Sequence, residues 1–193
     1  VVAGGPDWPW MPAGPLDDTK ESVLSTGLKQ ARWLKGIDLL PGKPSMVRAA
    51  TISIDGGSVL TYWVPANDPI AAPNGTAFRI PAGAKLKVEI FYKKSYLDEQ
   101  NAISDRSTIG LYFTARPASG REIQSTAVEP PSGLLSVKGR VVAVRPSLDR
   151  VYGSVAVQAI TPAGGRVSLL RLRAPRPEWR RRYWLAQPVD LPA

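Results

Sequence analysis

The chain has 193 residues, with 25 Lys and Arg against 16 Asp and Glu, no histidine and no cysteine. The length suits one large domain or two small ones, and 44% hydrophobic with 21% charged residues supplies a core rather than global disorder. The missing residue types exclude Ser-His-Asp and Cys-His nucleophile systems, Cys/His zinc sites, c-type haem attachment, disulfides and thiol redox chemistry. Carboxylates, hydroxyls, Lys, Arg and two Met are what remains for chemistry, so the expectation is a non-catalytic globular protein.

The charge is segregated. Between Lys138 and Arg182 stand 11 basic residues and only Asp149 and Glu178 as acids, whereas the rest of the chain holds 14 of each sign. The net charge of +9 therefore belongs to one segment, whose field attracts an anionic partner: an acidic protein, anionic lipid head groups or nucleic acid. No run of 18 or more apolar residues exists that would span a membrane as a helix. The chain opens on Val1-Val2 rather than Met, which points to a segment upstream: a signal, an anchor or a tail.

In chain order, residues 1–15 form a Pro/Gly/Trp-rich arm, expected to be extended, whose Trp8 and Trp10 need a surface to cover them. Residues 17–30 (DDTKESVLSTGLKQ) are the best helix candidate. Asp17 or Asp18 would cap it, and Val23, Leu24, Leu28 and Ala31 fall on a helical period; Gly27 and two β-branched residues count against it. The arm and this possible short helix make up 1–30.

From there the period is two. Ala84, Leu86, Val88 and Ile90 face one way and Lys85, Lys87 and Glu89 the other, the pattern of a half-buried antiparallel strand. Further strands are expected at 47–54, 59–64, 77–80, 109–114, 135–144, 154–160, 166–172 and 182–186. Asp55-Gly56-Gly57, Pro73-Asn74-Gly75, Pro81-Ala82-Gly83 and Pro162-Ala163-Gly164-Gly165 serve as turns. Many short strands at near-regular spacing predict an all-β fold, an antiparallel jelly roll or β-sandwich. Val128-Glu-Pro-Pro-Ser-Gly133 reads as a linker, giving one full sandwich over 31–127 and a shorter second β unit over 134–193.

Local motifs are weighed against plainer readings. Asn74-Gly75-Thr76 fits a glycosylation sequon but reads first as a turn. Gly110-Leu-Tyr-Phe113 reads as a strand packing aromatics into the core. Asp98, Glu99 and Asp105 around Asn101 suggest an oxygen-ligand cation loop, yet their spacing fits no EF-hand, and a solvated hairpin loop is the better reading. The sharpest feature is Arg176-Pro-Glu-Trp-Arg-Arg-Arg-Tyr-Trp184. As a strand it would place Arg180 and Arg182 on one face and Trp179, Arg181 and Tyr183 on the other. Arginines with aromatics can stack bases and neutralise phosphates, but no RRM, KH or zinc pattern accompanies them. Protein or lipid docking suits the pattern equally well, and nucleic acid is the lesser expectation.

Three segments together carry a family resemblance. Arg32-Trp-Leu-Lys-Gly-Ile-Asp-Leu-Leu-Pro-Gly42 with Met46-Val-Arg-Ala-Ala-Thr-Ile52 resembles the opening strands of bacterial copper type II, ascorbate-dependent monooxygenase-like domains, relatives of peptidylglycine alpha-hydroxylating monooxygenase. Phe78-Arg-Ile-Pro-Ala-Gly83, Val88-Glu-Ile-Phe-Tyr-Lys-Lys94 and Ser107-Thr-Ile-Gly-Leu-Tyr-Phe113 are similar to that family's next run. Val141-Val-Ala-Val-Arg-Pro-Ser-Leu-Asp149, Ala159-Ile-Thr-Pro-Ala-Gly164 and the stretch 179–193 are similar to the start of its second domain. The resemblance covers roughly 31–193 and implies two tandem antiparallel jelly-roll sandwiches.

The departures decide what the resemblance implies about function. The family's paired histidines fall on Arg48 and Ala49, its third on Phe91, and the His-x-His of its second copper on Ser147 and Asp149; its methionine ligand lies beyond Ala193. The resemblance therefore implies the fold without the copper chemistry, with no metal and no other cofactor. It also implies a short second sandwich that needs a neighbour. Its bacterial members are periplasmic or secreted and often joined to cytochrome c modules. The implied protein is an extracytoplasmic structural subunit, peripheral to a membrane, of a multisubunit assembly such as a cytochrome-containing respiratory or photosynthetic electron-transfer complex. The alternative is a binding module for an anionic ligand, peptide or lipid surface acting through 138–182. The expected partner-binding residues are Trp8, Trp10, Arg176, Trp179, Arg180, Arg181, Arg182 and Trp184.

Overall fold

The structure, a computed structural model, describes residues 2–4, 16–66, 69–118, 121–128, 139–161 and 164–191. These residues are all-β: their strands pair antiparallel, and two one-turn 3-10 helices are the helical content. No helix among them is long and apolar enough to cross a membrane. The chain divides into two compact units, Val1–Ser125 and Thr126–Ala193.

The first unit holds two sheets. One joins β1 (Val2–Gly4), β9 (Thr108–Thr114), β3 (Arg32–Leu40) and β6 (Ile70–Ala71) in that order, with β7 (Phe78–Ile80) also paired to β3. The other runs β2 (Asp17–Ser25), β8 (Lys85–Lys93), β4 (Val47–Ile54), β5 (Val59–Trp63). Period-two sequence becomes period-two burial. On β8, Leu86, Val88, Ile90 and Tyr92 are buried while Lys85, Phe91 and Lys93 stay exposed. Leu34, Ile37 and Leu39 of β3, Ile109 and Leu111 of β9, Ile52 of β4 and Leu60 of β5 complete a core of aliphatic side chains. Each such side chain contributes about 1.5–3 kcal/mol when fully withdrawn from water. The aromatics of Gly110–Phe113 are not part of it. Tyr112 is exposed and Phe113 half-buried beneath Arg32, whose guanidinium carbon lies 4.8 Å from the ring centre.

The helix expected within 17–30 is absent; Asp17–Ser25 is the strand β2. Nine residues pair in unbroken register with β8, from Asp17 opposite Lys93 to Ser25 opposite Lys85. A helix would satisfy its own backbone but leave the outer row of β8 amides and carbonyls without a ladder. The charges also suit a strand. Lys87 reaches Glu21 on the neighbouring strand at 2.9 Å and Glu89 on its own at 3.5 Å. Thr19 and Val23 fit an extended chain better than a helix.

A buried polar knot ties the first unit together. The Asp105 carboxylate accepts from the Tyr92 hydroxyl (2.9 Å), the Ser107 hydroxyl (2.6 Å) and the Lys43 backbone N–H (2.7 Å). Beside it, a Cβ on Gly42 would stand 2.6 Å from the Arg106 carbonyl oxygen, so only glycine fits. Pro73–Thr76 is the expected turn: Gly75 has φ +75°, Thr76 donates its N–H and hydroxyl to the Pro73 carbonyl, and Lys35 reaches across to Asn74.

The second unit is built from two hairpin-like pairs, β10 (Gly139–Val144) with β13 (Tyr183–Leu191), and β11 (Ser154–Ile160) with β12 (Arg166–Arg173). Between Val141, opposite Val189, and Ala143, opposite Trp184, the register shifts by several residues of β13. Pro188 lies in that bulge, where its missing N–H costs no ladder bond. Among the described residues the buried apolar set is small (Leu148, Ala159 and Leu172, with Pro146 and Pro175), and Val141, Val142, Ala143 and Val144 are all only half-covered.

Candidate functional site

The positions that the resemblance assigns to copper fall in both units. Ala49 and Phe91 stand opposite each other across β4 and β8, and Arg48 is the extra residue of a bulge just before Ala49. The bulge lets Ala49 and Ala50 both turn inward while Arg48 stays exposed. Ser147 and Asp149 lie in the loop after β10, and the Asp149 carboxylate is engaged by the Tyr152 hydroxyl at 2.6 Å. A methyl, a phenyl and a guanidinium hold no electron pair to give a copper ion, so these residues do not fit the group. Among the described residues, no group of three or more His, Cys, Asp or Glu is placed to hold a metal ion.

The loop after β8 carries its own cation. The Lys94 ammonium, buried at 3% exposure, donates to the carbonyls of Asn101 (2.8 Å), Glu99 (3.4 Å) and Asp98 (3.5 Å). Asp105, the third acid of the sequence cluster, is turned away into the Tyr92 knot. The one-turn helix Tyr96–Asp98 sits on this clamp, with Tyr96 and Leu97 in solvent.

The arginine-rich surface of the second unit is the remaining candidate. Pro175 and Pro177 remove two donors and fix φ, so the chain does not run as a strand through 176–182; Pro177–Trp179 is a 3-10 turn. The alternating faces expected for Trp179–Tyr183 are therefore replaced by a hydrogen-bonded knuckle. Arg180 Nε donates to the Pro177 carbonyl at 3.2 Å, and the Arg181 N–H and the Tyr183 hydroxyl both donate to the Trp179 carbonyl, at 2.8 and 3.0 Å. Arg181 lies over the Tyr183 ring at 5.1 Å and Arg182 over the Trp184 ring at 5.5 Å. Such stacks hold guanidinium planes in place for about 0.5–1 kcal/mol each at exposed sites.

Of the expected partner-binding residues, Arg176, Trp179, Arg180, Arg181, Arg182 and Trp184 are gathered in this knuckle and the start of β13; Trp8 and Trp10 lie outside the described residues. Sequence reasoning had singled out neither Arg145, Arg150 nor Tyr152, and Asp149 only as a lost copper-ligand position and an acid of the basic segment. The Tyr152 hydroxyl accepts from Arg150 Nε at 3.3 Å and donates to Asp149. That bond, joined by the charges of Arg150 and Arg180, holds the Asp149 carboxyl below the usual carboxylate range. Arg182 is pushed down to about 10, first by burial and then by the charge of Arg145. Both arginines remain cationic at neutral pH. The i, i+3 spacing of Asp149 and Tyr152 was a readable turn signal.

No protein-family model matches the chain, and no curated protein matches it.

Proposed function

We infer that the chain is a non-catalytic accessory subunit that docks an acidic protein partner through its second unit. The observation that carries this reading is the arginine and aromatic knuckle beside a β10 strand whose apolar side chains are only half-covered. Interfaces favour that composition, because Arg, Trp and Tyr combine apolar area with fixed donors. The sandwich arrangement belongs to this reading too, since β8 and β3, one from each sheet of the first unit, have one buried row and one more open to solvent. Membership of an extracytoplasmic assembly, peripheral to a respiratory or photosynthetic membrane, rests on the residue-level resemblance to copper monooxygenase-like domains.

Crosslinking of the chain in its native extract, affinity purification and mass spectrometry test the reading. A stoichiometric acidic partner, released by salt and lost in the Arg180→Glu, Arg181→Glu variant, supports it. A monodisperse folded monomer with no stable partner sinks it. The stacked guanidinium–ring pairs also favour a second reading, docking on anionic lipid head groups. Vesicle binding that is equal at low and high salt counts against that.

A further inference from the structure

The turn between β6 and β7 holds the one asparagine of the chain that is followed by glycine, Asn74-Gly75. Its hydrogen bonds converge on the Pro73 carbonyl, which accepts the Thr76 N–H (3.1 Å), the Thr76 hydroxyl (2.7 Å) and the Lys35 ammonium (3.2 Å). With Gly75 at φ +75° this is the type II arrangement. The neighbouring atoms are left open. Asn74 is exposed, and the Gly75 N–H makes no hydrogen bond among the described residues. Two cations stand beside these atoms. Lys35 Nζ donates to Asn74 Oδ1 at 3.1 Å, and the Arg121 side chain lies over Gly75, where a Cβ would meet a guanidinium nitrogen at 3.5 Å.

We propose that Asn74 is a site of spontaneous deamidation, with Lys35 polarising the amide carbonyl and Arg121 stabilising the attacking nitrogen. The Gly75 nitrogen gives its proton to solvent and bonds to Asn74 Cγ, and the carbonyl electron pair moves onto Oδ1. That pair returns as the bond from Cγ to Nδ2 breaks, and ammonia leaves with a proton taken from water. The product is a succinimide ring. Water then opens the ring and leaves a carboxylate at position 74; nothing is oxidised or reduced. Glycine suits the attack because it has no side chain to crowd the ring. A donor held at the oxygen where charge develops lowers such a barrier. The same Lys35 contact directs water to Cγ, which restores the normal main chain as aspartate, whereas attack on the other ring carbonyl leaves isoaspartate. The new carboxylate stands beside the Lys35 ammonium, so conversion exchanges a neutral contact for an ion pair that ties β3 to the turn.

Peptide mapping by mass spectrometry of the full chain, held for weeks at physiological pH and temperature, tests the site, with chromatography separating aspartate from isoaspartate peptides. Asn74 is expected to gain the mass of an amide-to-acid conversion, while Asn101, exposed but followed by Ala102, stays unchanged. Aspartate is expected to exceed isoaspartate. Lys35→Met is expected to slow the conversion about three- to tenfold and to shift the product toward isoaspartate, and Lys35→Arg to restore both. An Asn74 amide that stays intact while a free peptide of residues 70–80 converts overturns the site, because the fold then protects it. Conversion in Lys35→Met that is as fast as in the wild type, or faster because the turn has loosened, overturns the role of Lys35.

Discussion

Asp105 shows how one buried carboxylate organises its neighbours. Its three donors come from separate stretches: Lys43 after β3, Tyr92 on β8 and Ser107 before β9. Asp105→Ala strands those donors in the core, and a loss of about 3 kcal/mol in urea unfolding is expected. The same knot makes stability depend on pH. Burial, aided by the Asp105 charge, holds the Tyr92 phenol well above its ordinary pKa. The folded state thus keeps a proton that the unfolded chain releases near pH 10. The Tyr92 contribution is complete below that pH and lost above it. Between about pH 8 and 11, the wild type is expected to lose more stability in denaturant titrations than Tyr92→Phe does. Gly42→Ala tests close packing at the adjacent turn. The added methyl meets the Arg106 carbonyl, and a cost of about 1–3 kcal/mol is expected from the same titrations.

At the scale of elements, local pattern and tertiary demand agree in most strands and part at two places. The strands expected at 47–54 and 154–160 are β4 and β11 to the residue, because alternation and flanking turn signals point the same way. β2 was misread because its charged, mostly exposed sequence buries only Leu24 and has no strong period of its own; the open edge of β8 decides it. Arg176–Arg182 was misread because alternation outweighed two prolines. The loop after β8 was read first as a solvated hairpin loop and only second as a cation loop, and there a lysine of the chain itself supplies the cation. Lys94→Met removes the ammonium from three carbonyls, of which Asp98 keeps the Asn101 N–H, and amide exchange across 95–101 is expected to quicken while β8 stays protected.

At the scale of the whole molecule, the two units differ in how much core they own. The first carries most of the buried aliphatic side chains and the Asp105 knot, the second Leu148, Ala159 and Leu172. A chain ending at Ser125 is therefore expected to unfold in a single cooperative transition with nearly the full-length midpoint, measured by circular dichroism. The excess positive charge lies in the other unit, which makes that unit the place where salt acts.

Composition, alternation and turn residues determined the all-β class, most strand positions and the residence of the +9 in one segment, because these are local properties that each stretch carries alone. Only the tertiary structure decided that β2 is a strand and that Lys94 fills its own loop. Each of these depends on which chain lies alongside: an unpaired sheet edge, a ring of carbonyls. Hydrogen bonding and charge are settled between neighbours in space, and linear spacing does not contain them.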